Sequence, residues 1–437
     1  MRFNNSFDSS RRRLLGAGAA LGGLAGLTGL GLAGCSSTPD RGPVLGRVVI
    51  VGGGFGGATA ARYLRLWANV DVTLVERNAS FISCPMSNLV LGGHKQMADI
   101  TRGYGGLVAA GVKVVQGEVT AVDAAARKVK LAGGAELPYD RLIMSPGVDF
   151  MTDDIVGLAA SLQSGRVNHA WKAGPQTVAL RQQLEDLPNG GVFAISIPKV
   201  PYRCPPGPYE RACMVASYFK TAKPRAKVLV LDANAEIQSK KALFEKAFAQ
   251  HYAGILEYRP NSELKEVGSG NYPVAKLEFE DVKVDVLNVI PPQRAGDIAR
   301  TAGLLNMNNR WVGVNWKTME STAVPGIHVL GDATFPAPLM PKSGHMANQH
   351  AKLAAAAIIQ MLQGKPVSDT PLVMNTCYSF VTAKDVIHVS SVHQYVEAEK
   401  TFKTVAGSGG VSAAANQVEG RYALSWADNI WADSLAL

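Results

Sequence analysis

A glycine-rich turn between two apolar runs constrains the fold of this 437-residue chain most strongly. Residues 47–57 read RVVIVGGGFGG, and a helical stretch separates them from a second apolar run, VDVTLVE, that ends at Glu76. Gly52, Gly54 and Gly57 have the spacing that allows a tight turn, admits a pyrophosphate and packs helix against strand. Glu76, about twenty residues on, is the expected acceptor for ribose hydroxyls. This strand–turn–helix–strand unit predicts a dinucleotide-binding domain.

A second signal lies far downstream and indicates which dinucleotide binds. The run Ile327–Asp332 reads as a buried strand that ends in Gly-Asp, and we expect Asp332 to bond a ribityl chain rather than serve only as a turn or cap residue. The next helix, from about Gly344 to Leu362 with Ser343 as its cap, would bring its positive dipole end to the flavin pyrimidine. An ordinary capped helix is the alternative. FAD is the predicted cofactor, and no metal site is expected.

The order of elements predicts an α/β chain: two doubly wound nucleotide-binding-type domains, the first of them discontinuous, and a C-terminal α+β domain. In the second domain the strand-to-helix turn reads PKVPYRCPPGPYER, with proline where a nicotinamide site needs glycine, so no nicotinamide cofactor is expected there. The predicted segments are an export signal at 1–34, a linker at 35–46, the FAD domain at 47–158 and 298–369, the second domain at 159–297 and an interface domain at 370–437.

The N-terminus resembles a twin-arginine export signal. Ser10–Leu15 reads SRRRLL and precedes an uncharged Gly/Ala/Leu run that extends to Ala33. A membrane-spanning helix is the alternative, weakened by the many glycines. Leu32–Cys35 (LAGC) also resembles a lipoprotein cleavage box, which would lipidate Cys35. We therefore expect a periplasmic protein that meets a membrane only if Cys35 carries lipid.

The net charge of +9 is partly carried by this N-terminal segment, and no long Lys/Arg run indicates nucleic-acid binding. The modest basic excess that remains would suit an acidic protein partner.

Cysteines distant from one another in sequence are the candidate reactive groups. In an exported protein a structural disulfide is the default reading. Cys204, however, falls in the strand-to-helix loop of the second domain, where a cofactor-facing residue belongs. Glu210, at the start of the following helix, is either a proton acceptor or donor or a solvated carboxylate. Cys213 lies on an apolar helical face and reads as a buried core thiol.

Cys84 follows the second strand, near the expected position of the flavin ring. Free, exposed thiols are unusual in an oxidising compartment, so Cys84 is either buried or attached covalently to the cofactor. Covalent attachment is the more specific of these two hypotheses.

Four longer motifs carry a specific resemblance. They are Cys84–Asn88 (CPMSN) with Gly92-Gly93, Tyr202–Arg211 (YRCPPGPYER), Thr376–Tyr378 (TCY) and Trp426–Asp433 (WADNIWAD). Over Arg47–Leu437 the chain resembles the flavoprotein subunit of flavocytochrome c sulfide dehydrogenase. The resemblance implies that Cys84 binds the flavin 8α-methyl group as a thioether and that Cys204 and Cys377 form a redox-active disulfide beside the flavin. It also implies Glu210 as an acid/base group, with Cys377 facing the ring and Cys204 carrying sulfur, or the reverse.

The function hypothesis is sulfide oxidation through the disulfide and FAD, with electrons leaving to a c-type cytochrome subunit. This chain has no C-x-x-C-H haem site of its own. The alternatives are a sulfide:quinone oxidoreductase-like enzyme and a non-catalytic flavoprotein that binds a partner or transfers electrons while Cys204 and Cys377 stay structural.

Overall fold

The computed structural model describes residues 42–270 and 272–437. The predicted export signal at 1–34 and Cys35 lie outside these residues, so the predictions made for them stay predictions.

The first domain is built on a seven-stranded sheet that draws strands from two distant parts of the chain. Five neighbouring strands run parallel, and their near-continuous burial is typical of a sheet covered on both faces. In spatial order the strands are Val314–Asn315, Glu320–Ser321, Ile327–Val329, Arg141–Met144, Arg47–Val51, Asp71–Glu76 and Lys113–Gln116. The prediction of a discontinuous, doubly wound first domain is therefore confirmed.

Two helices of this domain pack against each other beside the sheet. Helix Phe55–Trp67 follows the glycine turn, and helix Gly344–Leu362 follows the last strand. Small side chains line the buried face of the second helix, including Ala347, Ala351 and Ala354, which lets the two backbones approach closely.

The second domain has its own parallel sheet of four strands. Their spatial order is Leu256–Arg259, Lys227–Asp232, Val192–Ile197 and Val286–Val289. The helices that accompany this sheet are Pro175–Asp186, Gly207–Ala222 and Lys241–His251. This is the second doubly wound unit that the sequence predicts.

The C-terminal segment is α+β, as expected. Strands Leu372–Phe380 and Val386–Val396 form a long antiparallel pair that Thr401–Thr404 and Gly410–Val411 extend. Helix Gln417–Leu435 then packs on helix Phe55–Trp67 of the first domain. Thr59 Oγ1 lies 2.9 Å from Ser434 Oγ, and Tyr63 donates to Asp433 at 2.6 Å.

Smaller elements complete the molecule. The short strands are Phe81–Ile82, Thr101–Arg102, Val119–Asp123, Lys128–Leu131, Glu136–Pro138, Val148–Phe150, Glu266–Gly268, Val274–Lys276, Asp281–Lys283 and Gln293–Ala295. The short α-helices are Ser87–Leu91, Gly105–Ala109, Leu158–Gln163 and Asp297–Thr301. Among residues 42–270 and 272–437, none of the helices has both the length and the apolar character needed to cross a membrane.

Candidate active site

A cavity of about 800 Å³ lies where the two doubly wound domains meet the C-terminal segment. That volume falls in the range of cofactor and ligand sites. The cavity brings together nine of the ten residues predicted as catalytic or cofactor-binding: Gly52, Gly54, Glu76, Cys84, Cys204, Glu210, Asp332, Gly344 and Cys377. Gly57 is the exception, because it lies behind the turn rather than on the cavity wall.

Two glycines shape the turn at one end of the cavity. Gly52 has a φ of +95°, and a Cβ there would lie 2.4 Å from the carbonyl oxygen of Ser145. A Cβ on Gly57 would lie 1.8 Å from the carbonyl oxygen of Gly52, so only glycine allows the helix to start this close to the strand. Gly54 has no neighbour within 4 Å of its would-be Cβ and lines the cavity.

Glu76 ends its strand beside this turn. Its Oε2 accepts a hydrogen bond of 2.6 Å from the backbone N–H of Gly53, and its Oε1 accepts one of 2.8 Å from the backbone N–H of Asn78. Tyr104 donates to the carbonyl oxygen of Gly53 at 3.1 Å. The carboxylate is thereby fixed at the rim, where it could accept hydroxyl groups of a ribose. Gly53 and Tyr104 did not emerge from the sequence analysis.

Asp332 supplies a buried acceptor without a partner. Its Oδ1 is buried and makes no hydrogen bond to any described residue, while Oδ2 lies 4.0 Å from a guanidinium nitrogen of Arg203. Buried carboxylate oxygens in native proteins are nearly always paired, so an unpaired one on a cavity wall indicates a ligand with hydroxyl donors. This is the chemistry of a ribityl chain.

Helix Gly344–Leu362 directs its N-terminus at the cavity. Ser343 is its N-cap and accepts a hydrogen bond of 2.9 Å from the backbone N–H of Met346, as predicted. Its hydroxyl donates in turn to Asn375 Oδ1 at 2.6 Å. The glycine turn, the unpaired Asp332 oxygen and this positive helix end together fit FAD.

Cys204 and Cys377 reach the same cavity from separate segments. Cys204 precedes helix Gly207–Ala222 with a φ of +55°, and Cys377 lies in strand Leu372–Phe380. Both are free thiols in this structure, so a disulfide between them stays a prediction. Burial raises the pKa of the Cys204 thiol, and negative charge on Cys377 and on Glu210 raises it further.

Glu210 is hydrogen-bonded to the first domain and to the C-terminal segment. Its Oε2 accepts from the side-chain amide of Asn88 at 2.8 Å, and its Oε1 accepts from the backbone N–H of Phe380 at 2.9 Å. Burial raises the pKa of Glu210, although these two hydrogen bonds oppose the shift. The reading of a solvated helix-start carboxylate is therefore wrong, because strand Leu372–Phe380 covers the start of the helix.

Cys84 lies beside the partly buried guanidinium of Arg203. Its sulfur accepts hydrogen bonds from Arg203 Nη2 at 3.0 Å and from the backbone N–H of Ala173 at 3.5 Å. Cys213, by contrast, is fully buried in an apolar cluster, which confirms it as a core thiol.

Comparisons with known proteins agree with this description. A family model for pyridine nucleotide-disulphide oxidoreductases matches residues 46–181. The fold and the cavity thus define a flavoprotein of the pyridine nucleotide-disulphide oxidoreductase class. A model for the central part of the sulfide dehydrogenase (flavocytochrome c) flavoprotein chain matches residues 177–291, and one for flavocytochrome c sulphide dehydrogenase, flavin-binding, matches 369–435.

A curated sequence adds a specific match. The flavoprotein chain of sulfide dehydrogenase (flavocytochrome c) from Chlorobaculum thiosulfatiphilum is 60% identical over 45 residues, which is 94% of that sequence and 10% of this chain. This chain therefore belongs to the family of flavocytochrome c sulfide dehydrogenase flavoprotein chains.

More distant relatives share the fold. Mitochondrial sulfide:quinone oxidoreductase from Dictyostelium discoideum is 24% identical over 307 residues, which cover 66% of this chain and 65% of that protein. The solved structure of sulfide:quinone oxidoreductase from Aquifex aeolicus superposes with a TM-score of 0.73 at 18% identity, covering 89% of this chain and 91% of that one.

Proposed function

We propose that this protein oxidises sulfide through a Cys204–Cys377 disulfide next to FAD. The observation that carries the proposal is that both thiols, 173 positions apart in the numbering of the chain, line one cavity that also contains the FAD cradle. Membership of the sulfide dehydrogenase family supports sulfide as the substrate. FAD, when bound, supplies the acceptor for the two electrons that sulfide loses.

The sulfur step follows from thiol–disulfide chemistry. Hydrosulfide attacks Cys204 Sγ, an S–S bond forms to the incoming sulfur, and the Cys204–Cys377 bond breaks. Cys204 becomes a persulfide and Cys377 leaves as a thiolate that keeps the bonding electron pair. Asn375 supports this direction, because its side-chain Nδ2 lies 3.2 Å from Cys377 Sγ while its Oδ1 accepts from Ser343. A donor fixed on Cys377 stabilises negative charge there.

Glu210 takes the proton in this scheme. The persulfide formed on Cys204 carries a proton that must leave before the sulfane sulfur can react onward. Glu210 lines the cavity with both cysteines, and burial raises its pKa towards the pH range in which a carboxylate works well as a general base. Its two hydrogen-bond donors, Asn88 and the Phe380 backbone, hold the carboxylate in place.

Three further features belong to the same proposal. Cys84 carries FAD covalently, since its sulfur lies on the cavity wall at the position that the family motif assigns to the attachment cysteine. A c-type cytochrome subunit receives the electrons, because the family name couples the flavoprotein chain to a cytochrome and this chain has no haem motif. The protein works in the periplasm, to which the twin-arginine sequence would direct it.

A second candidate is a sulfide:quinone oxidoreductase. The match to the Dictyostelium enzyme and the superposition on the Aquifex structure favour it. The two candidates differ in the electron acceptor, so the decisive experiment supplies both. Protein reduced anaerobically with sulfide is mixed with cytochrome c or with a soluble quinone analogue, and flavin reoxidation is followed. We expect rapid reoxidation by cytochrome c. Reoxidation by the quinone alone would support the second candidate, and no reduction by sulfide would support a non-catalytic flavoprotein.

A further inference from the structure

A buried lysine beside the two cysteines has no place in the scheme above. Lys240 directly precedes helix Lys241–His251, with a φ of +56°, and only 7% of its surface is exposed. Lysine side chains are almost never this buried unless they are paired, because a buried ammonium loses its hydration. The burial of this ammonium therefore predicts that a negatively charged group lies nearby.

The ammonium of Lys240 points at the strand that carries Cys377. Its Nζ donates to the carbonyl oxygen of Cys377 at 3.1 Å, to Ser379 Oγ at 2.8 Å and to the carbonyl oxygen of Ile387 at 3.4 Å. All three acceptors are uncharged, and they saturate the three N–H bonds of the ammonium. These contacts fix the charge next to Cys377 without neutralising it.

Charged and titratable groups reach this point from several elements. Those that act on the charge of Lys240, besides Cys377, are Cys204, Glu210 of helix Gly207–Ala222 and Glu419 of helix Gln417–Leu435. Arg203, Arg211 and His345 line the cavity that contains Cys204 and Cys377, and His388 pairs with Glu419. His388 Nδ1 lies 2.8 Å from Glu419 Oε2, so these two groups pair mainly with each other. Glu210 has its own two donors.

The electrostatics couple Lys240 to Cys377 in both directions. Burial lowers the pKa of Lys240 to about 8, and negative charge on Cys377 opposes this more strongly than Glu210 or Cys204 does. Burial raises the pKa of the Cys377 thiol, and the charge of Lys240 opposes that shift more strongly than the hydrogen bond from Asn375 does. Burial also raises the pKa of the Cys204 thiol; the charge of Arg203 opposes this shift most strongly, and the charge of Lys240 comes second.

We propose that Lys240 is a positioning residue whose ammonium is the counter-ion of the Cys377 thiolate. This inference deepens the proposed function and rests on it for its biological meaning. When the disulfide opens, the bonding pair goes to Cys377 Sγ, and the negative charge forms beside a positive charge that is already in place. Cys377 is therefore the sulfur that leaves, and Cys204 the one that is attacked.

The same contact has a consequence for the redox equilibrium. Where Cys377 is ionised, Lys240 stabilises the reduced pair relative to the disulfide and so makes the pair a stronger oxidant. That direction suits a disulfide that must accept electrons from sulfide. It also explains why the ammonium is held by neutral acceptors: a fixed carboxylate partner would cancel its effect on Cys377.

The test uses two variants in the FAD-loaded protein with its cysteines reduced. Lys240→Gln keeps N–H donors for the Cys377 carbonyl and Ser379 but removes the charge, whereas Lys240→Arg keeps the charge. Alkylation of each cysteine by iodoacetamide is measured against pH by peptide mass spectrometry. In Lys240→Gln we expect the midpoint for Cys377 to rise by about one pH unit, roughly a tenfold loss of thiolate at neutral pH, with Lys240→Arg close to wild type. At a pH where Cys377 is ionised in the wild type, the ratio of disulfide to dithiol in glutathione buffers should rise by up to about tenfold, equivalent to about 30 mV.

The outcome that overturns the proposal is a Cys377 alkylation midpoint in Lys240→Gln that equals that of the wild type. Should the variant fail to bind FAD, the wild type alone still decides: Cys377 must alkylate with a lower midpoint than Cys204, and equal or reversed midpoints refute the assignment. No sulfide enters either measurement. A protein that does not react with sulfide would thus contradict the proposed function, whereas the alkylation result would still test the role of Lys240 independently.

Discussion

Arg203 Nη2 lies 3.0 Å from Cys84 Sγ. Because Arg203 directly precedes Cys204, this hydrogen bond links the loop of Cys204 to the first domain, which contains Cys84. The same nitrogen also donates to the carbonyl oxygen of Trp171, and Arg203 is partly buried. Three hydrogen-bonding groups, those of Arg203, Trp171 and Ala173, surround the Cys84 sulfur. The sulfur is therefore held in one position on the cavity wall, which would suit the proposed thioether to a bound flavin.

Removal of the Arg203 guanidinium should weaken covalent attachment of FAD. In Arg203→Met the sulfur loses its strongest donor, and we expect the covalently bound share of flavin to fall severalfold at similar total flavin content. The measurement is the yellow colour that stays in the pellet after acid precipitation. Arg225→Met is the matched control, since Arg225 is exposed and bonds only to Asn189. A pellet as yellow as the wild type's would contradict the positioning role of Arg203.

Glu210→Gln should change the pH dependence of sulfide oxidation. Burial raises the pKa of Glu210, so a reaction that needs the carboxylate should lose rate as the pH falls through a midpoint above the usual glutamate range. The amide cannot accept a proton, and we expect a lower rate, by about 10²-fold or more, with this acid limb absent. Initial rates of flavin reduction across pH, each divided by the hydrosulfide concentration at that pH, provide the measurement, because the substrate itself is protonated at low pH. Glu245→Gln, on an exposed face of helix Lys241–His251, should keep the wild-type profile. A Glu210→Gln profile with the acid limb intact would exclude Glu210 as the base.

Ser343→Ala should affect both stability and thiol chemistry. The change removes an N-cap, which costs about 1 kcal/mol of folding free energy, and it also removes the hydroxyl that orients Asn375 towards Cys377. Asn416→Ala removes the cap of helix Gln417–Leu435, a helix of the same length, without touching Asn375. Both variants should unfold at lower denaturant concentration, but only Ser343→Ala should slow alkylation of Cys377. Equal alkylation in the two variants would show that the Ser343–Asn375 contact has no influence on the thiol.

Local signals in the sequence were sufficient for much of the fold. Helix Gly344–Leu362 and its cap Ser343 follow the prediction because capping and helical periodicity depend on neighbouring residues only. The glycine turn is equally local: Gly52 and Gly57 occupy positions where a Cβ would collide with the backbone. The alternation of strands and helices, together with the right-handed crossover of parallel strands, then restricts the fold to few topologies, of which two doubly wound domains is one.

The surroundings of the cysteines could not be read from the sequence in the same way. Lys240 belongs to a Ser-Lys-Lys run that is typical of solvent-exposed surface, and its burial depends on strands that begin more than 130 positions later. Glu210 accepts a hydrogen bond from the backbone of strand Leu372–Phe380, which is also distant in sequence. Such contacts arise only when the C-terminal segment packs onto the second domain.

The most direct test of the account is anaerobic titration of the FAD-loaded protein with sulfide, followed by flavin absorbance. Wild type and Cys213→Ala should both bleach with sulfide, since Cys213 is a core thiol whose truncation costs only about 1 kcal/mol of stability. Cys377→Ser should bind FAD but stay oxidised, because no disulfide can form for sulfide to open. Bleaching of Cys377→Ser at the wild-type rate would contradict the claim that sulfide reaches the flavin through this pair of cysteines.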